Sequence, residues 1–278
     1  MRKNKSAVDG EKRAKLAIKM NTLAAKDVIV AFSGGVDSAL VLKLAVDAAK
    51  ARGTNVYAVT FDLPMTTDDD TNFAKQTAKE IGGIHQVVKI DMIDAADIRE
   101  NPPDRCYRCK RYLFSGLKEM AKEYGVTTIL DGTNADDMSA FRPGKAALSE
   151  LDIVSPLALA GLTKAEVRAM AQEMGLSAHD KPSAPCLATR FPYGTRLTLE
   201  RIKRVERAEA KLTAMGFETL RVRVHDGLAR LEVPVSDFDK VMAERKAIVN
   251  TMHALGYAKI TLDLDGFRSG SFDEDPKL

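Results

Sequence analysis

The feature that most constrains the fold is a glycine-rich turn set directly between a β-branched run and a helical pattern. Residues 27–32 (DVIVAF) predict a buried strand, and residues 37–51 repeat apolar side chains at helical spacing. Between strand and helix stand Ser33, Gly34, Gly35, Val36, Asp37 and Ser38. Glycines let a backbone approach an anion closely, and amides at a helix N-terminus supply donors and a positive dipole end. This turn therefore predicts a phosphate-binding loop.

Further β-branched runs alternate with helical patterns, which is typical of a parallel α/β sheet. Strands are predicted at residues 56–61, 86–90 and 127–130, and helices at 68–81, 107–124 and 163–174. Thr163 and Glu166 predict a capping box at the start of the last of these helices. We therefore expect a Rossmann-like α/β domain with a parallel sheet over residues 1–180.

The pattern changes after residues 177–196, a proline-containing stretch without periodicity that we interpret as a functional loop and domain boundary. Beyond it the patterns predict a helix at 199–215, paired strands at 220–224 and 229–233, a helix at 236–255 and a strand at 260–264. We expect a smaller C-terminal α+β domain over residues 181–278, with a frayed end at 269–278.

Composition limits the class of protein. No apolar run approaches the roughly 18 residues of a membrane helix, and the basic N-terminal residues lack the apolar core of a secretory signal. With 42 basic and 39 acidic side chains the net charge is +3, which gives little reason to expect nucleic-acid binding. Three cysteines without an export signal are expected as reduced thiols in the cytoplasm.

The cysteines form a pair and a distant single residue. Cys106 and Cys109 make a C-x-x-C pattern, expected between the third strand and the next helix, and Cys186 lies in the proline-containing loop. The spacing leaves four interpretations open: a zinc site with His179 as fourth ligand, a redox pair, three ligands of an iron–sulfur cluster, or unrelated buried thiols. A 4Fe–4S cluster on three thiolates keeps one iron open, so that beside a site that activates an oxygen it could deliver sulfur.

Cys186 could also act alone. Arg190 and Lys181 stand close to it in sequence, and their positive charges would lower the pKa of a nearby thiol. The loop is thus a candidate nucleophile site as well as a candidate cluster site.

The S-G-G-V-D-S turn resembles the PP-loop of the ATP pyrophosphatase superfamily, and it is neither a Walker A motif nor a G-x-G-x-x-G motif. The resemblance implies that this loop holds the β,γ-pyrophosphate of ATP while AMP is transferred to an oxygen of the substrate. It also implies that Asp37 lies near the Mg²⁺ and the phosphates. Alternatively, Asp37 is an acidic residue favoured by the helix dipole.

Three further blocks narrow the resemblance to one branch of this superfamily. They are residues 181–194 (KPSAPCLATRFPYG), 131–137 (DGTNADD) with 141–144 (FRPG), and 220–225 (LRVRVH) with 229–232 (ARLE). Together with the PP-loop they resemble the LarE family of sulfur transferases, which matures the nickel-pincer cofactor of lactate racemase.

Membership of the LarE family would imply ATP-dependent sulfur insertion. Each carboxylate of pyridinium-3,5-biscarboxylic acid mononucleotide would be adenylated and then converted to a thiocarboxylate. Cys186 matches the sulfur-donor position. One form of the family sacrifices this cysteine and leaves dehydroalanine, whereas another carries three cysteines, a 4Fe–4S cluster and an external sulfide donor. Cys106 and Cys109 place the chain with the second form.

The resemblance also suggests a substrate pocket. Arg221 and Arg223 alternate on one strand face, which suits a phosphate clamp or simply an exposed polar face. Glu209 matches an acidic family position, with a solvated helix residue as the alternative. Thr189 and Arg190 are further pocket candidates.

The remaining expectations concern metal, aromatic contact and assembly. Gly132 is assigned to the nucleotide site, and Asp136 and Asp137 either hold Mg²⁺ or cap the loop backbone. The chain has no tryptophan to stack on the pyridinium, which leaves Tyr107 as the candidate. The family implies a homo-hexamer. The rival interpretations are a PP-loop tRNA thiolase with a similar three-cysteine cluster and a non-catalytic ATP-binding sensor.

Overall fold

The structure, a computed structural model, describes residues 8–139, 144–182 and 185–268. The chain divides into two compact units, Met1–Ala96 with Asp104–Ala184, and Asp97–Pro103 with Pro185–Leu278. The sequence-based boundary was placed at 180/181, and no sequence pattern marks Asp97–Pro103 as part of the second unit. Residues 141–143 and 183–184 of the family motifs, and the end at 269–278, lie outside the described residues.

A four-stranded parallel sheet forms the centre of the first unit. Its strands are β1 (Val28–Ala31), β2 (Val56–Asp62), β3 (Ile84–Lys89) and β4 (Thr128–Leu130). Their order is β3-β2-β1-β4, so that β1 pairs with both β2 and β4. The helices are α1 (Gly10–Leu23), α2 (Val36–Lys50), α3 (Asp68–Ile81), α4 (Arg105–Glu123), α5 (Ala135–Ser139), α6 (Gly144–Glu150), α7 (Pro156–Leu159) and α8 (Lys164–Glu173). The predicted Rossmann-like α/β fold is confirmed.

Helices cover both faces of this sheet, because successive side chains of a strand point to opposite sides. Val28 and Val30 of β1 belong to the apolar cluster that includes residues of α1, α2 and α8. Ile29 belongs to the opposite cluster, in which Phe114 and Leu117 of α4 are buried. A continuous apolar strand is therefore required, as the DVIVAF run predicts.

Local signals explain where the helices begin and end. Thr67 caps α3 by accepting a hydrogen bond from the Asp70 amide, and Gly82 ends that helix in the left-handed conformation with φ of 92°. The predicted capping box of Thr163 and Glu166 is present at α8. No described helix is both long and apolar enough to cross a membrane.

The second unit contains a smaller mixed sheet. It is built from α9 (Leu199–Ala214), β5 (Arg221–His225), β6 (Leu228–Glu232), α10 (Phe238–Ala243), α11 (Arg245–Ala254) and β7 (Lys259–Leu262). The strand order is β5-β6-β7, with β5 antiparallel and β7 parallel to β6. This confirms the predicted α+β character.

One expectation about this part of the chain was wrong. The predicted helix at 236–255 is divided into a 3-10 turn at Val235–Asp237 and the two helices α10 and α11. Glu244, between the helices, has ψ of 8°, which periodicity does not reveal because Glu is a good helix former. The stretch 177–196, interpreted from the sequence as a functional loop, contains two short 3-10 turns, Ser177–Asp180 and Leu187–Arg190.

Candidate functional site

The glycine-rich turn lies at the carboxyl end of β1, next to the carboxyl end of β4. The connection from β1 runs to β2 on one side, whereas β4 lies on the other side, so the strand order reverses between β1 and β4. In open α/β sheets, ligands bind outside the carboxyl ends of the strands at this reversal. The topology therefore selects the loops after β1 and β4 as the binding edge.

The conformation of the first of these loops is fixed by hydrogen bonds of its serines and by close packing at its glycines. The Ser33 and Ser38 hydroxyls are 3.2 Å apart, and Ser38 Oγ donates to the Gly35 carbonyl at 3.1 Å. Gly34 has φ of 71°, and a Cβ there would lie 2.8 Å from Ala74 of α3. Gly35 is the N-cap of α2, whose first amides therefore face the loop. This arrangement suits an anion such as a phosphate.

The second loop, which follows β4, packs against the first turn of α2. A Cβ at Gly132 would lie 2.7 Å from the Ser38 backbone nitrogen, so only glycine fits between the two segments. The Asp131 carboxylate, which is buried, accepts hydrogen bonds from the hydroxyls of Thr133 and Ser155 at 2.5 Å. Buried and satisfied, Asp131 fixes the shape of this loop.

Asp37 lies between the two loops and has two partners. Asn134 Nδ2 donates to one carboxylate oxygen at 3.0 Å, and Lys164 Nζ forms an ion pair with the other. The Lys164 side chain is 34% exposed, so it is partly accessible to solvent. Neither Asn134 nor Lys164 was singled out from the sequence. The T-K-A-E segment of the predicted capping box was the signal that placed Lys164 at a helix start.

Asp136 and Asp137 hold backbone groups in this structure. Asp136 Oδ2 accepts a hydrogen bond from the Lys164 amide at 2.8 Å, and Asp137 Oδ2 accepts one from the Asn134 amide at 3.2 Å. The Asn134 side chain accepts in return from the Asp137 amide at 3.1 Å. Of the two roles considered from the sequence, these contacts correspond to the capping role.

Cys106 and Cys109 lie in the first two turns of α4, and the expectation that they precede this helix was wrong. The helix begins at Arg105, and Arg108 Nε contacts both Asp104 oxygens at 2.9 Å across its first turn. Side chains three residues apart share a helix face, so both thiols point to the same side. Cys106 is exposed, and the Cys109 sulfur lies 3.9 Å from the Met92 sulfur.

Cys186 belongs to the second unit and directly precedes the 3-10 turn Leu187–Arg190. Its side chain is exposed, and its carbonyl accepts a hydrogen bond from the Thr189 hydroxyl at 2.7 Å. In the residues that the structure describes, no group of three His, Cys, Asp or Glu side chains is arranged to hold a metal.

Two sequence candidates have other partners. Both ring nitrogens of His179 are engaged, one with the Leu176 carbonyl at 2.9 Å and one with Asp180 at 2.9 Å, which argues against a zinc-ligand role. The Tyr107 hydroxyl donates to Glu150 at 2.9 Å.

The arginines singled out from the sequence come together in the second unit with two carboxylates. Arg190 is buried and forms a two-pronged contact with Glu209 at 2.8 and 2.9 Å. Arg223 Nε contacts the fully buried Glu232 at 3.0 Å, and its Nη1 donates to the Thr189 carbonyl at 2.5 Å. Glu232, which sequence reasoning missed, is buried, so Arg223 is not part of an exposed polar strand face.

Arg221 differs from its neighbours. It stacks over the Phe267 ring at 5.2 Å and donates to the Leu220 carbonyl, and no carboxylate of the described residues lies at ion-pair distance from it. Burial, together with the nearby charge of Arg190, lowers the pKa of its guanidinium group. Among the described residues, this cluster contains four guanidinium groups and three carboxylates: Arg190, Arg221, Arg223 and Arg230 against Glu209, Glu232 and Asp263. A partly buried cluster with excess positive charge is suited to an anion.

Comparisons with known proteins identify the family to which this chain belongs. Residues 12–172 match the family model described as asparagine synthase. The chain is 39% identical to the pyridinium-3,5-bisthiocarboxylic acid mononucleotide synthase of Lactiplantibacillus plantarum, over 94% of this chain and 96% of that protein. The chain belongs to this synthase family. Membership confirms the LarE-type resemblance seen in the motifs and the prediction of an ATP-dependent sulfurtransferase.

Two other relatives widen the comparison. An uncharacterized protein of Synechocystis is 38% identical over 88% of the chain and 91% of its own length. The tRNA-specific 2-thiouridylase MnmA of Parvibaculum lavamentivorans is 26% identical over 90% of the chain and 74% of its own length. The Lactiplantibacillus and Synechocystis proteins are thus considerably more similar to the chain than this tRNA-modifying enzyme is.

Proposed function

We propose that the protein adenylates the carboxylates of pyridinium-3,5-biscarboxylic acid mononucleotide and converts them to thiocarboxylates for the nickel-pincer nucleotide. The observation that carries the proposal is the packing of Gly132 against the first turn of α2, with Asp37 and Lys164 beside it. This phosphate-binding edge occurs in a chain 39% identical to a synthase of the corresponding bisthiocarboxylic acid.

The adenylation step uses the first unit. The amides of the glycine-rich loop and the Ser33 and Ser38 hydroxyls bind the β,γ-pyrophosphate of ATP. A substrate carboxylate oxygen attacks the α-phosphorus, the bond to pyrophosphate breaks, and an acyl adenylate remains. Lys164 donates to phosphate oxygens as negative charge moves onto the leaving pyrophosphate. Asp37 offers a carboxylate oxygen, the ligand type that Mg²⁺ prefers, and Mg²⁺ would neutralise phosphate charge there.

The second unit recognises the substrate phosphate. Because Arg190 and Arg223 are held by Glu209 and Glu232, they are rigid, and Arg221 has no carboxylate partner among the described residues. A phosphate monoester would balance the excess positive charge of this cluster. The carboxylates keep the guanidinium planes oriented when no substrate is bound.

Sulfur then replaces AMP. A sulfur nucleophile attacks the carbonyl carbon of the acyl adenylate, and the bond from carbon to the AMP oxygen breaks. Cys186 supplies or carries this sulfur. If the cysteine is sacrificed, its Cα proton is lost to solvent after the attack as the Cβ–S bond breaks, and dehydroalanine remains. If an external sulfide donor is used, Cys186 survives the turnover.

The residues present fit a cluster in one respect, because Cys106 and Cys109 present two thiols on one helix face. On the family resemblance, Cys186 would be the third cysteine ligand of a 4Fe–4S cluster. When bound, that group would supply an open iron that can hold a hydrosulfide. We further propose a cytoplasmic homo-hexamer, on the family resemblance alone.

The test is an anaerobic incubation with ATP, Mg²⁺, sulfide and the dicarboxylate mononucleotide. Thiocarboxylate products by mass spectrometry, together with AMP and pyrophosphate, support the proposal. Cys186→Ala is expected to abolish the thiocarboxylate while AMP formation survives. ATP binding without any AMP would instead support a sensor.

A tRNA thiolase is the rival, favoured by the 26% identity to MnmA. It would transfer sulfur to tRNA under the same conditions, and it requires a basic RNA-binding surface. The net charge of +3 argues against such a surface. Sulfur found in tRNA and absent from the mononucleotide would overturn the proposal.

A further inference from the structure

The buried side chain of Asn134 connects the start of α5 to the Asp37 carboxylate. Asn134 is 2% exposed. Its Oδ1 accepts a hydrogen bond from the Asp137 amide at 3.1 Å, and its Nδ2 donates to Asp37 Oδ1 at 3.0 Å. A backbone amide can only donate, so the Asp137 contact determines which end of the Asn134 side chain is the oxygen. The NH₂ group must therefore face Asp37.

The backbone around Asn134 is held as firmly as its side chain. The Asn134 amide donates to Asp137 Oδ2 at 3.2 Å, so these two residues cap each other in the manner of a capping box. The amide of the next residue, Ala135, donates to the Leu162 carbonyl at 2.8 Å. The donor that Asn134 presents to Asp37 is thus fixed by contacts within the first unit.

The two oxygens of Asp37 have partners of different kinds. Oδ1 is held by the neutral, buried Asn134 amide, whereas Oδ2 is paired with the Lys164 ammonium group at the end of a long side chain that is 34% exposed. In the proposed adenylation step Lys164 donates to phosphate oxygens, which frees Oδ2 for a cation. Oδ1 stays occupied, because Asn134 is anchored and the positive end of its N–H dipole disfavours a second cation there.

The two common divalent cations differ in what they accept from a carboxylate. Ca²⁺ binds carboxylates through one or both oxygens in a flexible geometry, whereas Mg²⁺ is smaller and demands a nearly ideal octahedron. We propose that Asn134 is a positioning residue that keeps Asp37 Oδ1 occupied, so that Asp37 binds a metal through Oδ2 alone and the nucleotide site selects Mg²⁺ over Ca²⁺. The inference rests on the role proposed for Asp37 at the nucleotide.

The experiment is a calorimetric titration of the full-length protein with α,β-methylene ATP, with Mg²⁺ or Ca²⁺ at concentrations that saturate the nucleotide. The variant is Asn134→Ser, because serine is a comparable N-cap for the Asp137 amide but lacks the second arm that reaches Asp37. Asn55→Ser is the matched control. Asn55 Nδ2 also donates to a carboxylate, Asp27 Oδ2 at 2.9 Å, but at the amino ends of β1 and β2.

Asn134→Ser is expected to weaken analogue binding on the order of tenfold in Mg²⁺ and to change it little in Ca²⁺, since partners that orient a metal ligand typically have effects of this size. Asn55→Ser keeps the wild-type preference for Mg²⁺. A merely structural role of Asn134 would weaken binding equally in both metals. If Asn134→Ser fails to fold, Asn134→Thr, which retains more of the buried volume, decides.

An unchanged ratio of the two affinities in a folded Asn134 variant would overturn the inference, and so would a wild-type protein that binds the analogue equally well in Mg²⁺ and Ca²⁺. Either result would leave the proposed function standing if AMP and thiocarboxylate still form. A wild-type protein that does not bind the analogue in either metal would overturn both the inference and the nucleotide role on which it rests.

Discussion

Gly132→Ala places a methyl group where the first turn of α2 already lies. The new Cβ would stand 2.7 Å from the Ser38 nitrogen and 3.1 Å from the Asp37 carbonyl carbon, whereas ordinary contacts begin at 3.4 Å. The two segments must therefore separate by about 0.7 Å, the difference between 3.4 and 2.7 Å. Gly132 does not have a positive φ, so the cost comes from contact alone. Overpacking of this kind costs about 1–3 kcal/mol of folding stability.

The same displacement moves the phosphate-binding amides and Asp37 relative to Lys164. Misplacement of reacting groups by about 1 Å can cost on the order of a hundredfold in rate. We expect Gly132→Ala to weaken binding of a non-hydrolysable ATP analogue in calorimetric titration and to slow AMP formation by roughly that factor. Urea unfolding measures the stability change separately.

The matched control is Gly116→Ala. Gly116 lies within α4, and a Cβ there would meet no atom within 4 Å. Alanine should therefore stabilise that helix by about 0.5–1 kcal/mol and leave nucleotide binding unchanged. The reasoning is refuted if Gly132→Ala binds the analogue and forms AMP as the wild type does, since the contact would then be relieved without moving the loop.

Three further predictions concern Lys164, the buried Arg223–Glu232 pair and the iron content. Lys164→Met removes the ammonium group beside Asp37 and should slow AMP formation on the order of a hundredfold with little change in urea midpoint; a wild-type rate would exclude Lys164 from the chemistry. Glu232→Gln leaves the buried Arg223 without its counter-charge and should cost about 3–5 kcal/mol in urea unfolding. Arg204→Gln, which breaks an exposed pair, should cost under about 1 kcal/mol, and similar losses in both would contradict the burial argument. Protein purified without oxygen should hold about four irons per chain, and Cys106→Ala should lose them; unchanged iron would refute a shared cluster.

Secondary-structure elements were predicted best where a motif of a few neighbouring residues determines the structure. The strand–glycine–helix turn, the helix Asp68–Ile81 and the capping box at Thr163 all follow from contacts within a few residues. The helix break at Glu244 was missed because its cause is the backbone conformation of one residue with good helix propensity. Asp97–Pro103 was missed because its place is set by contacts to residues about 90 positions away.

The candidate site was predicted in its parts and less well in its partners. The glycine-rich turn singled out Asp37, and the family resemblance singled out Arg190, Glu209 and Arg223. They could not reveal that Lys164 pairs with Asp37, since 127 positions separate the two in sequence. The start of α4 at Arg105 also escaped the pattern, because the Asp104–Arg108 ion pair extends the helix beyond its apolar periodicity.

Asp97–Pro103 has a consequence for the order in which the chain acquires its structure. Asn101, with φ of 47°, donates to the carbonyls of Phe191 and Pro192 and accepts from the Gly194 amide. During synthesis these seven residues leave the ribosome long before their hydrogen-bond partners. They remain without these partners while the rest of the first unit is synthesised. The second unit has no contiguous coding segment of its own, so it can be neither duplicated nor exchanged between genes as one piece. A gene fragment beginning at codon 185 would encode a unit without these hydrogen bonds.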